Sequence, residues 1–415
     1  MEAGSAIDTA KHVLGSAGII LAIGSICGAF ANKIKIPDIV LYLLIGMAIG
    51  PAGFGFIDIS ADSALNQIIL LFGSAYILFD GGATVRLKVL KEVWITLLII
   101  ATIGVLITAA VVGVTSYYVL DIPVIAALLL GCTIASTDPA TLVPVFKQVP
   151  VKERVAQTVM SESAFNDAMG AIAVFAVLAV AMGGGEFSIS KSLGGLLYEA
   201  GIGTIIGGIL GYLALVLIAH QHYAFLREHL PLVTLMSVIA AYLGASGIHA
   251  SGYMAVFIFG LMIGNREVFG FKLEHHEEEG LEDFIGTTAL IMRMFIFVLL
   301  GSQVDFGLLN QYVVGGSIVV GVFILVARPL TVFLCAGVDR RAKWSMNELL
   351  FMCWTRETGV IPAALAGLLV GMKAPYAELI AAVTFLAILF TILIQATTTP
   401  WLARKLGLLL EQQKA

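Results

Sequence analysis

The sequence predicts an all-α polytopic membrane protein with about 13 transmembrane helices. Three observations carry that prediction. Of the 415 residues, 59% are hydrophobic and 12% charged, with a mean hydropathy of +1.00, whereas a soluble globular chain carries about 25% charged residues. Apolar runs of the roughly 20 residues needed for a bilayer crossing recur from end to end. The basic residues fall on alternate connections, as the positive-inside rule demands.

In chain order the spans are expected at about 12–31, 37–56, 64–82, 93–118, 122–147, 155–182, 193–219, 230–248, 251–265, 281–304, 311–337, 345–371 and 375–402. With the N-terminus outside, 17 of the 23 Lys and Arg residues lie in inner loops or the tail. Only Lys11, Lys191 and Lys373 lie outside, and Arg293, Arg328 and Arg356 fall within spans. The expected protein is therefore multi-pass in the plasma membrane, with a cytoplasmic C-terminus. Glu2 and Asp8 stand where a cleavable signal would carry lysines. Cys27, Cys132, Cys335 and Cys353 are isolated in apolar runs and read as packing residues, not as disulfides or metal ligands. The reading calls for no cofactor and no nucleic acid.

Spans 1–6 and 8–13 form two sets of six around span 7, and the sets run in opposite senses, so a repeat would be inverted. Its first half is about 12–182, its linking helix about 193–219 and its second half about 230–402. The fifth span of each set is interrupted: Ser136-Thr137-Asp138-Pro139-Ala140 in one, Thr355-Arg356-Glu357-Thr358-Gly359-Val360-Ile361-Pro362 in the other. Broken backbone inside a membrane is tolerable only where it lines a cavity or meets an ion, and paired interruptions point to a transporter's binding site. Ordinary proline kinks are the plainer alternative.

Ionisable residues within spans sharpen this. A charge at the bilayer centre costs at least about 2.5–3.5 kcal/mol, yet Asp138 and Asp167 both sit in apolar stretches. On a helical wheel Ser163 and Asp167 share a face, with Asn166 beside them, and this face can meet Thr137 and Asp138. Glu162 looks elsewhere and needs a counter-charge; Arg356 is the leading candidate and Arg293 the second. Carboxylate, hydroxyl and carbonyl oxygens are hard ligands suited to an alkali cation. Desolvation disfavours a bare carboxylate, so such an acid takes either a cation or a proton, and the two compete.

Ser-Thr-Asp-Pro-Ala in span 5, Glu162-Ser163-x-x-Asn166-Asp167 in span 6, Phe79-Asp80-Gly81-Gly82 and Arg293-Met294-Phe295-Ile296-Phe297 together resemble the monovalent cation/proton antiporters of the NhaP and NHE branch. That resemblance covers essentially the whole chain. It implies exchange of Na⁺ (or Li⁺; alternatively K⁺) for H⁺, with Asp167 as the main ion- and proton-binding carboxylate. Asp138, Ser163 and the Thr137 backbone complete the coordination, and the Asn166-Asp167 pair implies electroneutral exchange. It further implies crossed broken helices, core helices at about 93–182 and 311–402, dimerisation helices at about 12–82 and 193–304, an elevator-like motion and a homodimer in membrane lipid. One departure stands out. Archaeal relatives carry an arginine directly before Gly-Val-x-Pro of span 12; here that residue is Thr358, with Arg356 two residues earlier and an extra acid, Glu357, between them.

Other readings fit less well. An intramembrane aspartyl protease also needs two buried aspartates, but its Gly-x-Gly-Asp pattern is missing. A channel would need a selectivity-filter repeat, and a sodium-coupled solute carrier a basic or aromatic substrate pocket. Asp80 reads as a helix-terminal acid or as a cation attractor at the inner mouth. The run from His275 to Asp283 reads as a solvated charged loop, with a pH sensor or cation gatherer as the alternative, and Arg328, before Pro329, as support for helix ends.

Overall fold

The computed structural model describes residues 2–34, 38–137, 151–183, 189–220 and 223–409. Fourteen helices make up these residues: α1 (Glu2–Ile34), α2 (Asp38–Ile49), α3 (Ala64–Thr84), α4 (87–120), α5 (Val124–Ala135), α6 (Glu153–Ala181), α7 (Ile189–Ala219), α8 (Leu230–Ser246), α9 (Gly252–Gly264), α10 (His275–Ser302), α11 (Phe306–Ala336), α12 (Met346–Trp354), α13 (Val360–Gly371) and α14 (Ala377–Lys405). Each of the 13 expected segments overlaps at least one of them. By length and composition, nine helices among the described residues suffice to cross a membrane; α2, α5, α9 and α13 are shorter apolar helices. No strand occurs among the described residues, only an isolated bridge between Val151 and Leu409.

Local chemistry sets the helix ends. Ser63 and Ser251 accept the Asn66 and Met254 N–H groups at 3.2 and 3.1 Å and start α3 and α9. Ser345 with Glu348 forms a capping box at the start of α12. Three helices contain a π-turn: α4 at Ile100–Gly104, α11 at Phe323–Ala327 and α14 at Thr391–Ala396. A π-turn inserts one extra residue and shifts the facing of everything after it.

Packing sorts the helices into two groups. In one, α9 lies against α3, α7 and α8, while α10 packs on α1, α2 and α3. In the other, α4 packs on α5, α6 and α11, and α14 on α5, α11 and α13. Contacts of α3 with α13 and α6, and of α6 with α9, join the groups. Small residues set the closest approach: a Cβ at Gly260 or Gly264 would collide with the carbonyl oxygens of Phe79 and Ala83 on α3.

A polar clasp holds one end of the second group. Asp339, 5% exposed just after α11, accepts from the Thr96 hydroxyl of α4 at 2.7 Å and from the N–H groups of Thr96, Arg341 and Ala342. The Trp344 indole donates to Thr96 at 3.0 Å, and Arg154, at the start of α6, stacks 4.1 Å over the Trp344 ring. Burial opposes the Asp339 charge, but the donors outweigh it and hold its carboxyl below the usual aspartate range.

Two outcomes follow from this packing. Gly260→Val should lower stability by about 1–3 kcal/mol through overpacking, read as thermal unfolding in detergent, while Gly208→Ala, where a Cβ meets nothing within 4 Å, should leave it unchanged. Because the Asp339 carboxyl is lowered in the folded state, its contribution is full above the ordinary aspartate value of about 3.9 and is lost as pH falls through the lower folded value. Unfolding temperature should therefore drop more steeply below about pH 4 in the parent than in Asp339→Asn.

Candidate functional site

The site forms where α5 stops. Its cap, Ser136, is extended (φ −72, ψ 154), so the chain leaves helical geometry at Ser136-Thr137 and runs beside α6. Ser163, Asn166, Asp167 and Gly170 face that break from successive turns of α6. The Thr137 and Ser163 hydroxyls meet at 2.7 Å, and the Ser136 hydroxyl donates to the Asn166 carbonyl at 3.4 Å. Gly170 makes this approach possible, since a Cβ there would collide with the Ser136 hydroxyl. Thr137, Ser163, Asn166 and Asp167 are all buried, Asp167 with 3% of its surface exposed. Asp138, the other expected carboxylate, lies outside the described residues. The arrangement places one acid and the Ser136, Thr137 and Ser163 hydroxyls in a buried patch next to unwound backbone.

The expected partner of Glu162 is corrected. Neither Arg356 nor Arg293 pairs with it. Arg328 of α11 does, in a fork: Nη1 donates to Oε1 and Nη2 to Oε2 at 2.9 Å, with both side chains 2% exposed. The same guanidinium sends Nε to the Met352 carbonyl in the last turn of α12 at 2.8 Å, and Asn166 donates Nδ2 to Glu162 Oε1 at 3.3 Å.

The physical reason lies in the second break. Residues 355–359 are not helical, and there Arg356 turns its side chain toward α4 and α5. Nη1 donates to the Thr108 hydroxyl at 3.1 Å, Nη2 to the Ala135 carbonyl, and the guanidinium lies 5.3 Å from the Phe323 ring centroid. Ala135 ends α5, where carbonyls have lost their helical donors and the dipole is negative; the arginine satisfies both needs. Arg293 is half-buried on α10, in the other helix group and within electrostatic reach of Tyr42 on α2. Glu357, within the break, is wholly buried.

Side chains that sequence reasoning passed over hold this second break. Thr391 accepts the Thr358 N–H at 3.0 Å, Gln395 donates to the Trp354 carbonyl at 2.7 Å, and the Trp354 indole donates to Thr398 at 2.8 Å. Thr108 and Thr331 meet at 3.1 Å between α4 and α11. The signal for them in the sequence is faint: isolated hydroxyl and amide residues in apolar spans.

A broken, oxygen-lined crossing in a helical membrane protein has known parallels. A family model described as sodium/hydrogen exchanger, transmembrane, matches residues 18–405. The chain belongs to that family. Na(+)/H(+) antiporter 1 of Methanocaldococcus jannaschii is 35% identical over 365 residues, 85% of this chain and 82% of the relative. The solved structure of the sodium proton antiporter MjNhaP1 from the same organism at pH 8 superposes with a TM-score of 0.83 at 32% identity, covering 95% of this chain and 98% of that one. The K(+)/H(+) antiporter NhaP of Alkalimonas amylolytica is 28% identical over 361 residues, 84% of this chain and 59% of the relative.

In this exchanger, cavities flank α6 on either side of Asp167 along the helix. One of 390 Å³ is lined by Asp80, Gln157, Met160, Arg266 and Glu282. Another of 340 Å³ is lined by Ile172, Phe175, Glu199, Tyr242 and Tyr253. At about 1.5 Å per residue, Asp167 is roughly 10 Å along α6 from Met160 and 8 Å from Ile172. Asp80 is thus half-buried at the wall of the first cavity. The His275–Asp283 run, expected as a loop, instead forms the first turns of α10, started by a Glu274–Glu277 capping box, and is ion-paired there: Glu277 takes Arg227 at 2.6 Å and Glu278 takes Arg266.

Removing one member of a buried ion pair strands the other, at about 3–5 kcal/mol. Glu162→Gln and Arg328→Met should each lower the unfolding free energy by roughly that amount. The double variant should cost less than their sum, a coupling that a thermodynamic cycle on the purified protein reads directly.

Proposed function

We propose that this exchanger is a secondary-active antiporter that trades Na⁺ (or Li⁺) for H⁺, one for one, at Asp167. The observation that carries the reading is the buried Asp167 one turn from the Ser163–Thr137 hydroxyl pair. A bare carboxylate there is costly. It is relieved by a cation held on Asp167, Ser163 Oγ and Thr137, with Asp138 and Asn166 completing the set, or by a proton on the carboxyl. Occupancy by one excludes the other, and if only a neutralised site can move, exchange is obligatory. The antiport activity named for the relatives at 35% and 32% identity supports the same reading.

Glu162, Arg328, Arg356 and Glu357 are assigned supporting roles, fixing the two breaks against each other. Asp80 is assigned to the entry of one cavity. The helices at about 93–182 and 311–402 act as the ion-carrying core. Those at about 12–82 and 193–304 form the static, dimerising part, against which the core shifts so that Asp167 opens to either cavity in turn. The cation and proton are the only substrates, the homodimer sits in the plasma membrane lipid, and its N-terminus is outside. Potassium is the second reading, favoured by Thr358 at the position of an arginine in archaeal relatives and by a relative named for K⁺/H⁺ exchange.

Proteoliposomes loaded with a pH dye test this. Added Na⁺ should raise the internal pH of acid-loaded vesicles, and Asp167→Asn should reduce the rate at least a hundredfold. Undiminished exchange in that variant overturns the site. A response to K⁺ with none to Na⁺ selects the second reading. Asn166→Asp should make the rate depend on membrane potential.

A further inference from the structure

The two cavities that flank α6 differ in charge. The one at Met160 is lined by the acids Asp80 and Glu282 but also by Arg86 and Arg266, so the charges of its walls balance. The one at Ile172 is lined by a single carboxylate, Glu199 of α7, and by no lysine or arginine. Its remaining polar side chains are the hydroxyls of Tyr242, Ser246, Ser251 and Tyr253 and the imidazole of His249. Glu199 is half-buried, and no ion pair or side-chain hydrogen bond among the described residues engages its carboxylate.

Backbone contacts hold that carboxylate at the cavity. The Ser251 N–H, at the start of α9, donates to the Glu199 carbonyl at 3.1 Å. One and two turns further on, a Cβ at Gly203 or Gly207 would collide with the carbonyl oxygens of Ser251 and Ala255, so α7 lies flush on α9. The facing wall is aromatic. Phe175 of α6 stacks on Tyr253 with ring centroids 6.2 Å apart, and Tyr242 meets Tyr253 edge-on at 5.3 Å. The hydroxyls of that wall are engaged: Tyr242 bonds to Tyr253 and Ser246, and Tyr253 meets Ser74 of α3 at 3.1 Å. Glu199 is therefore the uncompensated charge of this cavity. A charge beside an apolar wall is screened less than one in open water, and a cleft lined by one sign of charge concentrates the opposite ion.

We infer that Glu199 is a capture site for a hydrated monovalent cation, collecting it in this cavity about 8 Å along α6 from Asp167. The inference rests on the reading of Asp167 as the exchange site. Glu199 does not take over that role: half-exposed, it leaves the ion its water and releases it readily. Its charge lowers the cation concentration needed to fill Asp167 from this side.

The four cysteines of the chain are all buried, so a cysteine placed at the exposed Ser246 on the cavity wall is the thiol that water-borne reagents meet. The test compares modification of the full-length Ser246→Cys protein by a cationic and an anionic methanethiosulfonate, each relative to its rate on a small free thiol. The cationic reagent should be favoured at least tenfold. Glu199→Gln should cut that preference at least threefold, and Glu199→Asp, which keeps the charge, should hold it within twofold; His249→Cys serves as a second reporter should Ser246→Cys fail to fold. A preference that survives Glu199→Gln overturns the proposal, and so does an equal fall with Asp80→Asn in the other cavity. Right-side-out and everted vesicles present the two cavities to added Na⁺ separately. Glu199→Gln should raise the half-saturating Na⁺ at least threefold in one kind only, with the loss made up at saturating Na⁺; an equal shift in both kinds, or a loss that saturation does not repair, overturns the capture role. The reagent preference needs no transport, so its failure leaves the Asp167→Asn measurement untouched, and failure of Asp167→Asn leaves the preference standing.

Discussion

A helix cut within an apolar interior exposes carbonyls and N–H groups that no water satisfies, and this constraint governs the whole crossing. The protein meets it with side chains borrowed from neighbouring helices. Arg356 caps the carbonyl of Ala135, Arg328 the carbonyl of Met352 and Gln395 that of Trp354, while Thr391 accepts the Thr358 N–H. Each bond ties a break or a helix end to a neighbouring segment, so satisfying the broken backbone also welds those segments together. The two gaps are thus held rigid by the helices around them.

Charge follows the same logic. Glu162 and Arg328 neutralise each other in a fork, and Nε of Arg328 reaches a carbonyl. A buried pair of this kind is weak evidence for net stability but strong evidence for a fixed geometry. With Asn166 donating to Glu162, the pair also holds the residue next to Asp167. Asp167 is kept out of that pair, although only five positions separate the two acids on one helix. Their different directions on α6 make that division possible.

Much of this was readable from the chain alone. Apolar runs placed every helix-bearing segment, and helical spacing put Ser163, Asn166 and Asp167 on one face toward the first break, where Thr137 and Ser163 in fact touch. The partner of Glu162 was not readable, because three arginines lie within spans and the choice depends on facing. Arg328 follows a π-turn, whose extra residue rotates it relative to an ideal helix, and no composition rule reveals such a turn. Arg356 adjoins unwound backbone, where wheel geometry no longer applies. Thr391 and Gln395 were invisible for a simpler reason: neutral polar residues in a membrane span carry little signal until their partners are known.

The three π-turns carry a consequence for how chains of this kind can diverge. Each is a one-residue insertion absorbed without lengthening a loop, and in α4 and α11 it lies one turn ahead of the touching threonines. Losing that residue would restore ordinary helix and swing Thr108 or Thr331 by about 100°, parting the contact. Length changes inside these helices therefore behave as rotations of the side chains that follow them. The loss of one residue from α4 or α11 would thus part Thr108 from Thr331 although every loop kept its length.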